Sequence, residues 1–428
     1  MKTGQDVNTV IPPNYYRIVL IVFIFCFAEM ESKSQTNSVN DTSKATITAM
    51  DYLKDIIYTH QEIDDWLAGK AFKFAYYDSE FGWFLNNAQF KDGLDNSIST
   101  YTYADDKGER LLTNYKEKPC RINTYGDSYT QCHQVSDHET WQEVLAAHLQ
   151  EPIRNFGIGA WSVYQAYLRM RKEEERTPAE YIIFNIYVDD HHRNLDSWRN
   201  IRVRKHPAFI EPTLPYLKVD LNKKQVVECK NLCPTTESLY ALCDPDKTYD
   251  LFKDDFVLKI MLAHANSKTK NPYKDYSNIM ALTKTHGIET RIEDNATLAQ
   301  AAEDIHNKAS LFATEWVVEQ IEKYAASNNK KVLFILSYPA ASIAEYIEEG
   351  KRWDQPFVDY LKNKKLPYVD LAEEHKQDFE KYKIGIKEYL SQYFVGHYNP
   401  RGNFFCAFAI KDAVVNMLDP KPLPYESE

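Results

Sequence analysis

From Cys120 to the carboxyl end, short β-like runs alternate with helical segments, and this alternation limits the fold more than any other feature of the chain. CRINTYG precedes WQEVLAAHL, and IRNFGIG precedes a helical stretch from Val163 to Lys172. YIIFNIYV is followed, after an interruption, by a helix over Leu311 to Ala326 and the strand KVLFILSYP, and LPYVDL leads to a last helix from Phe404 to Leu418. Strand alternating with helix predicts an α/β core, a mostly parallel sheet with helices on both faces in three layers. Between about Trp198 and Ala309 the alternation lapses into a Pro- and Lys-rich stretch, a cysteine cluster and polar helices, which reads as an insertion at 198–309.

Ahead of this core, at 119–420, the chain divides into an amino-terminal segment (1–28), a linker (29–46) and a lead-in (47–118). Ile18 to Ala28 form an apolar run of 11 residues, short of the roughly 20 that span a bilayer. With Arg17 before it and Cys26 and Ala28 as small residues at its end, the run has the form of a signal-peptide core or anchor, so an exported chain is expected. Apolar positions at helical spacing from Ile47 to Trp66 predict one amphipathic helix. Tyr/Phe/Trp runs broken by Asp, Asn and Gly over Phe72 to Thr113 predict short strands and turns.

A formal charge of −11, from 51 Lys+Arg against 62 Asp+Glu, gives no general attraction to phosphate backbones or anionic lipid. Nucleic acid is not expected as a partner on that ground, nor is a membrane role beyond the amino-terminal segment. Beyond Cys26 stand Cys120, Cys132, Cys229, Cys233, Cys243 and Cys406, an even number that permits disulfides in an exported chain. Cys229, Cys233 and Cys243 lie close enough to staple a loop, while their spacing, without a nearby His, suits zinc poorly. Neither a metal nor another cofactor is expected. Asn40-Asp-Thr42 and Asn295-Ala-Thr297 are glycosylation sequons.

Gly126-Asp127-Ser128 follows the first strand of the core, on a tight turn that would lift the serine hydroxyl over the carboxyl edge of the sheet, where open α/β sheets bind ligands. By itself the tripeptide is ordinary turn or N-cap chemistry. Near the other end, Gly396-His397-Tyr398-Asn399-Pro400-Arg401-Gly402 places a histidine in a loop just before the final helix, as a general base would be placed.

Together these residues resemble the SGNH/GDSL hydrolase superfamily, whose enzymes cleave esters through a serine, a histidine and an oxyanion hole built from a glycine and an asparagine. The resemblance runs from about Cys120 to Leu418 and implies a flavodoxin-like core, with Ser128 as nucleophile and His397 as base. Asn155-Phe-Gly157-Ile-Gly159-Ala160 resembles the family's Asn-x-Gly-x-x-Gly, so Gly159 and Ala160 stand at the oxyanion loop, with alanine in the last glycine's place. Tyr187-Val188-Asp189-Asp190 stands where the family has Gly-x-Asn-Asp, and Asp189 replaces the asparagine donor. An ionised carboxylate accepts and cannot donate, so Asp189 would serve only if kept protonated. Asp190-His191-His192-Arg193-Asn194 resembles the Asp-x-x-Arg-Asn of a subgroup with Asp-Asp in this block, which offers Asn194 as an amide donor and Asp127, Asp190 and Arg193 as support. The competing reading makes Arg193 and Asn194 a helix-start network. His191 and His192 are poor metal ligands, because adjacent residues seldom point the same way.

Phe394 replaces the acid of the family's Asp-x-x-His, and Asp370, Asp254 and Asp255 are weak substitutes. A Ser-His dyad whose imidazole is held by a backbone carbonyl is expected. The resemblance implies a serine esterase acting on a small-molecule or carbohydrate ester. Two alternatives stand beside it: an acyltransferase on the same site, and a catalytically impaired binding protein.

Overall fold

The computed structural model describes residues 46–71, 73–104, 108–205, 210–269 and 276–426. The apolar run, Cys26 and the sequon at Asn40 lie outside them. Its strands are β1 (Ala75–Asp78), β2 (Gly82–Leu85), β3 (Ala88–Phe90), β4 (Ser99–Tyr101), β5 (Tyr103–Ala104), β6 (Glu109–Arg110), β7 (Ile122–Tyr125), β8 (Ile153–Asn155), β9 (Tyr181–Tyr187), β10 (Tyr216–Asp220), β11 (Gln225–Cys229), β12 (Lys331–Ser337) and β13 (Tyr368–Asp370).

Seven of these form one sheet in the order β13-β12-β9-β7-β8-β6-β5. β13, β12, β9, β7 and β8 pair in parallel, and β6 and β5 extend the β8 side antiparallel. Counted from β7, the parallel order is 2-1-3-4-5, the doubly wound arrangement in which ligands bind where the strand order reverses, between the first and third strands. β9, the third, is buried at all seven positions, which is why its sequence is an almost continuous apolar run. Its one side-chain amide, Asn185, accepts a hydrogen bond from Ser337 Oγ on β12 at 2.9 Å.

The structure departs from the sequence expectations in three places. Two helices, Ala49–Lys54 and His60–Leu67, replace the single one expected from Ile47 to Trp66, because Thr59 and Glu62 form a capping box that starts the second afresh. The lead-in contributes β5 and β6 to the central sheet, Arg110 pairing with Asn155. The helix expected from Leu311 begins at Asn295, inside the supposed insertion, and runs unbroken to Ser327 from a box formed by Asp294 and Thr297. Its amino-terminal half packs with Ile260 and Ile279, and its carboxyl half enters the main core through Val317 and Ile321. All six described cysteines are free thiols. Among the described residues no helix is long and apolar enough to cross a membrane.

Gly126 joins β7 to the turn that follows at φ +148°, and a Cβ there would lie 2.7 Å from the Asn185 carbonyl oxygen on β9. Backbone conformation and space both require glycine. Gly126→Ala is therefore expected to cost about 2 to 4 kcal/mol, read as a lower urea midpoint at unchanged m-value. A stability within about 0.5 kcal/mol of the parent would show that β7 and β9 do not approach this closely at the turn.

Candidate active site

Past Gly126, Asp127 caps the single-turn helix Ser128–Gln131, its carboxylate accepting from the Tyr129 N–H at 2.9 Å. This fixes Ser128 at the carboxyl end of β7, beside β9 and at the reversal of strand order. His397 arrives from the far end of the chain. The loop that carries it is closed by the pairing of Phe394 with Tyr398 and by Val395 N–H donating to the His397 carbonyl at 2.9 Å. Asn399 then caps the helix Pro400–Met417 through the Gly402 N–H at 3.0 Å. The two elements meet with His397 Nε2 2.9 Å from Ser128 Oγ, and each residue is only 3% exposed. Asp127 Oδ2 is a second acceptor for the same hydroxyl, at 3.1 Å.

The other face of the imidazole is held by a residue the sequence did not single out. Gln134 Oε1 accepts from the His397 backbone N–H at 2.7 Å and lies 3.2 Å from His397 Nδ1. The amide's orientation follows from its other end, where Nε2 donates to the carbonyls of Asp92 and Val395, both at 3.1 Å. An oxygen facing Nδ1 places the ring proton there and leaves the Nε2 lone pair for Ser128. Gly396 makes the approach possible: it sits at φ +121°, and a Cβ on it would come within 2.6 Å of Gln134 Oε1.

Gln134 takes the place expected of a backbone carbonyl or an acid. Asp370 pairs instead with Arg352 and caps the helix Leu371–Phe379, Asp255 accepts from Ser197 Oγ at 2.6 Å, and Asp254 is exposed. No spacing rule points to Gln134. Its own N–H donates to Tyr101 Oη at 2.7 Å, and the turn around it is gathered by Arg110, buried on β6. Arg110 donates to the carbonyls of Gln131, Cys132 (2.7 Å), Val135 (2.6 Å) and Thr100 (3.2 Å) and to Asp137 Oδ1 at 3.0 Å.

On the opposite side of Ser128, Arg193 is buried among three carboxylates. It reaches Asp127 at 3.3 Å, Asp190 at 2.6 Å and Asp189 at 2.8 Å, and also donates to the Trp161 carbonyl at 3.2 Å. Burial alone would raise the Asp189 pKa, yet Arg202, Arg193 and Arg199 outweigh it and hold Asp189 well below the usual carboxylate range. Both Asp189 oxygens accept from Arg202 and one also from Arg193, so the carboxylate is engaged by arginines rather than turned to donate to an oxyanion. Asn194 is not placed as an oxyanion donor either. Its Oδ1 accepts from the Tyr164 N–H and its Nδ2 donates to Thr314 Oγ1, both at 2.9 Å, the helix-start arrangement that was the competing reading. Burial, then the Asp127 charge, pushes Asp190 well up, and its Oδ2 accepts from the Tyr187 N–H at 3.2 Å. Asp127 is pushed up by burial, against the pull of Arg193 and of the Tyr129 and Ser128 N–H groups.

The loop of Gly157, Ile158, Gly159 and Ala160 lies along the nucleophile turn. Ile158 N–H donates to the Gly126 carbonyl at 3.1 Å, and a Cβ on Gly159 would stand 3.7 Å from that of Ser128. Ala160 occupies the left-handed region at φ +67°, a conformation natural to the glycine that the family pattern places there. Among the described residues no group of three or more His, Cys, Asp or Glu side chains is arranged to hold a metal ion. His191 and His192 turn apart, to Thr314 Oγ1 and Asn307 Oδ1, each at 2.8 Å.

Fold and site together define an α/β protein with a buried serine-histidine pair at the switch point of its sheet. No family profile and no curated protein matches the sequence. Among solved structures, the chain is similar to a provisionally assigned lipolytic protein of the G-D-S-L family from Desulfitobacterium hafniense DCB-2, at 11% identity and a TM-score of 0.29 over 69% of this chain and 98% of that one. It is also similar to a provisionally assigned acylhydrolase from Bacteroides fragilis NCTC 9343, at 13% identity and a TM-score of 0.30 over 70% of this chain and 88% of that one. At such distance neither likeness adds weight to the geometry.

Burial pushes the pKa of His397 down to about 3, with Arg193 adding to the effect, and burial does the same to His375 (about 3) and His191 (about 4). All three lie below the unfolded value near 6.5, so between that pH and their folded values the unfolded chain binds more protons and stability falls as pH falls. Each group contributes a slope of up to about 1.4 kcal/mol per pH unit in that window, and the stabilisation is complete above it. Urea midpoints should decline from pH 7 to 5, less steeply in His375→Gln. An identical slope in that variant would mean that His375 is protonated in the folded protein.

Proposed function

We propose that the chain is a serine hydrolase of ester bonds, of the SGNH/GDSL type that its motifs resemble. The observation that carries this reading is the 2.9 Å approach of His397 Nε2 to Ser128 Oγ. Ser128 Oγ attacks the ester carbonyl carbon while its proton passes to Nε2, and Gln134 keeps Nδ1–H pointed away from the reaction. The Ala160 N–H, helped by that of Ser128, receives the oxyanion. Collapse of the tetrahedral adduct expels the alcohol, which takes the proton from His397. Water, activated by the same imidazole, then releases the acid and restores Ser128. An O-acylated carbohydrate is the substrate class to try after simple esters, and an added alcohol acceptor distinguishes transfer from hydrolysis by the products.

A second reading, a binding protein that keeps the fold without turnover, is favoured by one observation: Asp189 is engaged by arginines and Asn194 faces Thr314, so neither supplies a donor to the oxyanion. Hydrolysis of p-nitrophenyl acetate and butyrate, with fluorophosphonate labelling, separates the two. Turnover and labelling that both vanish in Ser128→Ala support the hydrolase, and a folded chain that shows neither supports the binding protein. Gln134→Ala should lower kcat by about 100-fold by freeing the imidazole, and Gln134→Glu, which restores an acceptor, should lose less. With His397 held near 3, kcat/KM should show no acid limb between pH 5 and 8. An inflection near 6.5 would show that the free protein holds the histidine open to water.

A further inference from the structure

The loop that would receive the oxyanion is held from outside by two arginines, and only one of them is accounted for by the carboxylates around it. Arg193 reaches the Trp161 carbonyl while balancing Asp127, Asp189 and Asp190. Arg199 is buried nearby, and among the described residues its one hydrogen bond runs from Nη1 to the Ala160 carbonyl, at 3.1 Å. Its carboxylate neighbours are more distant, Glu211 at 3.7 Å and Asp189 at 4.0 Å. Burial and then the charge of Arg193 both work against the Arg199 cation, so its position is a costly one. Successive carbonyls of one turn, Ala160 and Trp161, therefore each end on a buried guanidinium, and the turn is closed by Trp161 N–H donating to the Ile158 carbonyl at 3.3 Å. Trp161 is itself fixed by stacking on Phe81, ring centroids 4.9 Å apart. The residue between these restraints is Ala160, a β-carbon-bearing residue at φ +67°.

We propose that Arg199 is a positioning residue that clamps the Ala160 turn in its left-handed conformation and so aims the Ala160 N–H at the oxyanion, an inference that rests on the hydrolase reading above. A glycine at this position would adopt the conformation unaided. Alanine resists it, and the guanidinium bond to the carbonyl on the other side of Ala160 Cα opposes the relaxation. Lysine keeps the charge but lacks the planar fork, whose Nη1 meets the Ala160 carbonyl and faces Glu211 while Nη2 faces Asp189.

The test uses the full chain and its Arg199→Lys, Ala160→Gly and doubly substituted forms. It measures kcat and KM for p-nitrophenyl butyrate, together with amide hydrogen exchange of a peptide spanning Ile158 to Trp161. In Arg199→Lys the proposal expects kcat to fall by about 100-fold with KM near the parent value, and the loop amides to exchange about tenfold faster. Adding Ala160→Gly should return part of the lost kcat, since glycine no longer needs the clamp. A core ion pair with no part in positioning would lower the melting temperature without a split between kcat and KM and without rescue by glycine, and that pattern overturns the proposal. Unchanged loop exchange in Arg199→Lys overturns it whatever turnover does. If parent turnover proves independent of Ser128, the hydrolase reading falls, and the exchange measurement still decides whether Arg199 holds the Ala160 turn. Should Arg199→Lys fail to fold, the doubly substituted form decides beside Ala160→Gly: a double form that folds, with loop exchange close to that of Ala160→Gly, shows that the clamp is needed only while residue 160 carries a β-carbon, and a double form that also fails to fold, or whose loop exchanges much faster than that of Ala160→Gly, overturns the proposal.

Discussion

One buried guanidinium organises the half of this molecule that holds His397 against Ser128. Arg110 gathers four backbone carbonyls and one carboxylate, and the carbonyls come from both the lead-in and the turn after Ser128. A cation so far from water is tolerable only with its donors filled, and the cheapest way to fill them here is to curl the chain from Gln131 to Val135 around it. That curl puts Gln134 at φ +72° and turns its amide toward His397. The geometry of His397 is thereby set by a residue on β6, next to the edge strand of the sheet, and the aromatic lead-in is part of the site rather than an appendage to it. Removing Arg110 would leave several buried carbonyls without donors, so its loss would be felt in folding before it could be read in catalysis.

The other half is organised by charge balance. Asp127, Asp189 and Asp190 share Arg193, with Arg202 and Arg199 also facing Asp189. While three arginines hold Asp189 low, burial keeps Asp127 raised, and burial with the Asp127 charge keeps Asp190 raised. Ser128 thus has a neutral imidazole on one side and a carboxyl whose proton affinity is raised on the other. A neutral base needs no counter-ion in the resting state, which fits a neutral glutamine in the place where the family pattern has an acid.

The parts of the fold legible in the sequence were those written in residue pattern. The apolar run of β9 could only be a buried strand, and the helix-strand alternation gave the α/β core. The start of the helix at Asn295 was legible too, in Asp294 and Thr297, but lay in a polar stretch where periodicity is weak; the break before His60 was announced by Thr59 and Glu62. Gly126-Asp127-Ser128 and His397 could be singled out because turn chemistry and loop position mark them. Their approach to each other is a property of the sheet order, which no local pattern contains. Gln134 was illegible for a different reason: a neutral amide has no characteristic spacing, and its role depends on Arg110 and Tyr101, which come from two strands of the lead-in, β6 in the central sheet and β4 outside it. The pattern also could not divide labour between Asp189 and Asp190, since which of two adjacent carboxylates meets the arginines is decided by the turn between β9 and the helix that follows.

The helix Asn295–Ser327 is about 50 Å long at about 1.5 Å per residue, and it belongs to two hydrophobic clusters at once. A rod shared in this way couples their melting. Loosening the cluster around Ile260 and Leu298 frees the near end of the helix, and its far end cannot then keep Val317 and Ile321 seated against the sheet without the turns between them. The region that interrupts the strand-helix alternation is accordingly expected to lose structure together with the core, and damage far from Ser128 would reach the site as lost population of the folded state.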